Sequence, residues 1–141
     1  MTETFSSQGQ GTRRQRQEQE RLPADRVAVV KAVTNVTTSD VTLHTVTADK
    51  YFFVKDFGVC NIAGATIAIT VYVVPEGAAA GVTNKVYDAY SILANDSGTL
   101  TALIGSTLSP GDFIVADTDN ATGANFWLDG VEFSEGLPDV G

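Results

Sequence analysis

Thr66-Ile67-Ala68-Ile69-Thr70-Val71-Tyr72-Val73-Val74 is the stretch on which the fold turns. Ile67, Ile69, Val71 and Val73 fall on one face of an extended backbone, and Thr66, Ala68, Thr70 and Tyr72 on the other. Successive side chains of a strand point to opposite faces, so a period of two held over nine residues describes a half-buried β-strand. Pro75-Glu76-Gly77 stops the run, and Ala78–Asn84 reads as a loop of small residues.

The same grammar extends in both directions. Val27, Val29 and Val33 share one face of a first strand, with Ala28, Val30 and Ala32 opposite. Val41, Leu43, Thr45 and Thr47 form a second run after the turn-like Thr38-Ser39-Asp40. Tyr51–Asn61 is a third, with Phe53, Phe57 and Val59 expected on one side. Further strands are expected at Lys85–Ala94, Gly98–Ile104, Phe113–Ala116 and Ala124–Phe133. Turns separate them at Asn95-Asp96, Ser109-Pro110-Gly111-Asp112 and Asp117-Thr118-Asp119-Asn120. Eight short strands without an amphipathic helix predict an all-β protein, a β-sandwich that is jelly-roll-like.

Before the first strand the chain has another character. Residues 1–26 are a Gln/Arg-rich arm, residues 27–135 the expected sandwich, and residues 136–141 a trailing tail. Met1–Lys31 holds six of the nine Lys/Arg and carries net +2, whereas the remainder carries net −10. Such an arm cannot bury enough apolar surface to order itself alone. Thr12–Leu22 contains good helix formers, but a helix of that length is marginal without a partner. Arg13, Arg14, Arg16, Arg21 and Arg26 are the candidate contacts of a protein-binding arm, since guanidinium groups pair bidentately with carboxylates. Glu18 and Glu20 follow the arginines at once and dilute any phosphate site. The acidic body argues against nucleic-acid binding.

The body is near the modal size of a domain and needs no covalent staple. Cys60 is the only cysteine, so no internal disulfide forms, and it reads as an inert strand thiol. Residues 1–26 lack the apolar stretch of a secretory signal, and no run approaches the length of a membrane span. The sequons at Asn35, Asn95 and Asn120 therefore read as chance matches.

Little chemistry is assembled along the chain. His44 is the only histidine, and it reads as a hydrogen-bonded strand residue rather than a catalytic base. Asp117, Asp119 and Asn120, with Asp112 nearby, read as turn formers; a weak calcium site is the alternative, and no metal ligand is assigned. Asp129 and Glu132 resemble a carboxylate pair of the kind glycosidases use, but a solvated or edge-protecting face is the simpler reading. No cofactor is implied. Where both faces of a strand are apolar, at Tyr51–Val54 and Phe126–Leu128, the second face is expected to pack on another subunit. Tyr51, Phe52 and Trp127 are the candidate interface aromatics; sugar stacking by Trp127 and the tyrosines is the rival role.

Five stretches carry a resemblance: Leu43-His-Thr-Val-Thr-Ala-Asp-Lys50, Phe53-Val-Lys-Asp-Phe-Gly-Val-Cys-Asn61, Val71-Tyr-Val-Val-Pro-Glu-Gly77, Asn84-Lys-Val-Tyr-Asp88 and Leu108-Ser-Pro-Gly-Asp-Phe-Ile114. Over roughly residues 40–133 the chain looks like the β-sandwich virion accessory proteins of tailed bacteriophages. The resemblance implies a capsid decoration (cement) protein, or a tail, neck or baseplate component, with no catalytic residue to carry over. It implies the major capsid protein as partner, homo-oligomers with trimers favoured, and a place on the capsid surface after synthesis in the host cytoplasm. The arm lies outside the matching region. Extended, it would span about 90 Å, enough to strap neighbouring subunits.

Overall fold

The alternating stretch is a strand, Ile67–Val74, in the computed structural model, which describes residues 27–134. In chain order the strands are β1 (Val27–Val36), β2 (Val41–Thr45), β3 (Lys50–Asn61), β4 (Ile67–Val74), β5 (Lys85–Ile92), β6 (Ser97–Thr99), β7 (Thr107–Leu108), β8 (Phe113–Thr118) and β9 (Ala124–Ser134). A 3-10 turn at Val82–Asn84 precedes β5. The expectations for the arm, its helix, its arginines and the tail lie outside the described residues.

The strands form two antiparallel sheets. One has the order β1-β9-β3-β6, with β7 also on β3, and the other β2-β8-β4-β5. Apart from the β4–β5 hairpin and the short β6–β7 pair beside β3, each successive strand crosses to the other sheet. That interleaving is the jelly roll, in which two packed sheets cover each other's apolar faces. The inner faces supply one core that includes Phe52, Phe57, Phe126, Ile69, Val71 and Ile114, all 0–1% exposed. Burying each such side chain contributes about 1.5–3 kcal/mol.

Strand parity breaks once where it matters. A bulge between Val54 and Asp56 inserts an extra residue into β3 against β9. Val54 and Phe57 therefore both face the core, and Phe53, expected beside Phe57 and Val59, faces outward. The expected strand at Gly98–Ile104 is also shorter than read. Only Ser97–Thr99 pairs with β3; turns then place Leu100 and Leu103 in the core, 1% and 4% exposed, before β7 resumes the pairing. Apolar side chains on a turn mimic a strand when counted along the sequence alone.

Polar staples hold the loops. Asn61 is 1% exposed; its Nδ2 donates to the carbonyls of Ala65 (2.9 Å), Ile92 and Leu93 (both 3.0 Å), and its Oδ1 accepts from Ala63 N (2.8 Å). Asn120 Oδ1 accepts from Thr122 N at 2.8 Å and Gly123 N at 3.2 Å, closing the turn into β9. Gly123 has φ +76°, and a Cβ there would strike the Val36 carbonyl, so the turn requires glycine.

The four sheet edges differ. β2 is five residues long and bulged between Thr42 and His44. The β4–β5 register shifts twice, and Ala89 in β5 has φ +53°. The edge beside β3 is split into β6 and β7, of three and two residues. β1 alone runs unbroken, pairing ten residues with β9 without a shift.

Candidate interaction surface

The outer face of the β1-β9-β3 sheet is built by register. One row crosses it as Val29, Val131, Phe53 and Thr107; another as Val33, Trp127, Gly58 and Thr99. Lys31 and Asp129 lie between those rows, and Tyr51 stacks on Phe133 with centroids 5.9 Å apart. Val29 and Val33 are 69% and 72% exposed; Phe53, Trp127, Val131 and Phe133 are half-buried. A solvent-facing sheet surface carrying this much apolar and aromatic area fits a protein contact.

Trp127 is held in place rather than draped. Its indole lies over Gly58, where an added Cβ would stand 1.9 Å from Cζ2. Nε1 donates to Asp56 Oδ2 at 3.2 Å, while Asp56 Oδ1 accepts from Phe57 N at 2.9 Å. The bulge in β3 thus orients the carboxylate that orients the indole. Tyr51 shares this face. Phe52 does not: it is 0% exposed on the inner face, 4.5 Å from the His44 ring, and belongs to the core instead of the interface. Neighbours in a strand face opposite ways, so an apolar pair such as Phe52-Phe53 always splits between core and surface. Phe53, Val131, Val29, Val33 and Asp56 are the surface residues sequence reasoning missed. Alternation had paired Val29 with Val33, but nothing in it said which face was outward.

The opposite sheet presents a different exterior. Tyr72 Oη donates to Asp117 Oδ2 at 3.2 Å, and Lys85 pairs with Asp88 at 3.0 Å. Burial, with Asp40 close by, pushes the Asp117 carboxyl above the ordinary aspartate value, against the Tyr72 hydroxyl and Lys85. Burial and Asp117 likewise push the Tyr72 phenol up. The turn carboxylates weighed as cation ligands serve the backbone. Asp119 Oδ1 accepts from Ala68 N at 2.9 Å, and Asp112 Oδ2 from Ser109 N at 2.9 Å.

Between the sheets, His44 of β2 meets Glu132 of β9, Nε2 to Oε2 at 2.8 Å, and Glu132 also accepts from Thr47 N at 3.1 Å. Glu132 is 6% exposed, so it is neither a solvated face residue nor a partner of Asp129, which lies on the outer face of β9. Burial alone would raise its carboxyl; Thr47 and His44 outweigh that and hold it below the ordinary glutamate value. The pair is a polar clamp across the sandwich.

No family model matches the chain, and no curated protein matches it. Among solved structures, a chain of the Bacillus endospore appendages, described as a novel family of disulfide-linked pili, aligns at 10% identity and TM-score 0.47, covering 77% of this chain and 86% of that one. A chain of infectious bursal disease virus, Gx strain, aligns at 14% identity and TM-score 0.39, covering 76% and 31%. A chain of the T13 particle of that virus aligns at 13% identity and TM-score 0.40, covering 79% and 32%. The chain thus spans about a third of the viral chains' length. At these values none of the three bears on function.

Proposed function

We propose that this chain is a structural virion protein that decorates and stabilises a phage head, working by assembly rather than catalysis. The observation that carries the reading is the apolar, aromatic outer face of the β1-β9-β3 sheet, with Trp127 preorganised on it by Asp56 and Gly58. A preorganised aromatic at the centre of a flat face supplies contact area with little entropy left to lose. The virion setting comes from the resemblance of residues 40–133 to phage accessory proteins.

In this reading the face docks on the major capsid protein, and the arm straps neighbouring subunits. Arg13, Arg14 and Arg16 pair with carboxylates of the shell or of another copy's acidic body. Joining two weak contacts through one chain raises avidity by effective concentration. The test adds full-length protein to shells purified without it. Arg13→Gln/Arg14→Gln/Arg16→Gln and, separately, Val131→Lys should each weaken binding by tenfold or more, on the order of 1.4 kcal/mol. Binding at full strength by both variants would sink the proposal. Recovery on isolated tails but not heads would move the protein to the tail or baseplate.

A further inference from the structure

We propose that the β1 edge is an interface with a second copy of this chain, two β1 strands pairing antiparallel about a two-fold axis. Sheet edges offer unpaired N–H and C=O groups, and proteins blunt them with short strands, bulges and charges. Three edges here are blunted in those ways: β2 by length and a bulge, β5 by register shifts, and the β6/β7 side by division into two short pieces. Among the described residues, β1 is neither short nor bulged, and a single lysine is its one defence. It is ten residues long, regular against β9, and bears a single charge, Lys31, which sits opposite Asp129. Val29 and Val33, the most exposed large apolar residues of that sheet, both lie on it.

The composition of the chain selects the occupant. Val27–Val36 holds five valines and one threonine, whereas residues 1–26 contain no valine or isoleucine and only three threonines. The arm is a poor strand former; a second β1 is a good one. Residues 32–141 carry net −10, so two copies repel over most of their surface, and β1 is a stretch free of carboxylates. A two-fold pairing also brings Val29 and Val33 of both copies into one apolar stripe that continues into Trp127 and Val131 on each side. Ten residues extend about 34 Å, and pairing over that length buries on the order of 1,000 Å² in total, the low end of specific interfaces. The dimer is therefore one that dissociates on dilution. A two-fold strand pair gives two-chain particles, not the trimer that the resemblance implies, and it needs no capsid to form.

The test is the mass of the full chain in solution by sedimentation equilibrium across a wide concentration range. The expected result is a shift from one 14.9 kDa chain to two as concentration rises. Val29→Lys/Val33→Lys should raise the dissociation constant by on the order of a hundredfold, with an unchanged melting temperature at dilutions where the wild type is also a single chain, because both side chains are exposed. Leu93→Lys, 63% exposed and off β1, should leave dimerisation intact. A single-chain mass at every concentration, a three-chain mass, or a dimer that survives the double substitution would each overturn the proposal. So would protection of the outward β1 amides from hydrogen exchange in a single-chain species, which would assign the edge to the chain's own arm. Failure to bind shells would leave this result standing, because the two measurements are independent.

Discussion

At the scale of single residues, Glu132 is the point where chemistry and stability meet. Its carboxylate is enclosed, accepts from Thr47 N, and lies 2.8 Å from His44 Nε2. Glu132→Ala strands both groups and should cost about 1–3 kcal/mol. The pH dependence follows from the lowered carboxyl. An acid whose folded value lies below its unfolded one stabilises fully above the unfolded value, about 4.3, and loses that contribution as pH falls through the folded value. Denaturant unfolding of wild type and Glu132→Gln should therefore differ fully above the unfolded glutamate value and converge as pH falls through the folded one. A difference that stays constant across that range would contradict the clamp. His44 was legible as a hydrogen-bonded strand residue, but its partner was not. His44 and Glu132 stand 88 positions apart, and a carboxylate in a strand reads as solvated until its face is known.

At the scale of an element, β3 shows how one inserted residue redistributes function. The bulge at Val54/Asp56 turns Phe53 outward, keeps Phe57 inside, and aims Asp56 at Trp127. Gly58 then receives the indole. Gly58→Ala should displace Trp127, lower stability by about 1–3 kcal/mol, and shift tryptophan emission to the red as the ring gains water. Unchanged emission and stability would mean that the indole does not rest on position 58. The existence of β3 was plain from its β-branched and aromatic content, and its bounds came within a residue of Tyr51–Asn61. Its bulge was not plain, because Lys55-Asp56 fits strict alternation as well as an inserted residue. Phe52 was assigned to the wrong side for a related reason: composition marks a two-sided apolar strand, but only packing says which side is core.

At the scale of the whole molecule, the first and last strands are neighbours: β9 lies between β1 and β3 and contributes Phe126, Leu128 and Glu132 to the interior. Removing residues 124–141 should leave no cooperative unfolding transition by circular dichroism, since β1 and the inner face of β3 would both lose their partner. A truncated chain that still melts cooperatively would show that the two halves of the sandwich fold apart. The sequence by itself determined that the chain is all-β, where most strands and turns fall, and that a basic arm precedes an acidic body. Those features are local, written in alternation, turn chemistry and charge, and they need no knowledge of which strand lies beside which. Tertiary structure alone decided which strand lies beside which, the outward apolar face, the buried His44–Glu132 clamp and the long, regular β1 edge. Each depends on pairing between residues far apart in the chain, and a one-dimensional pattern carries the period of a strand but not its neighbour.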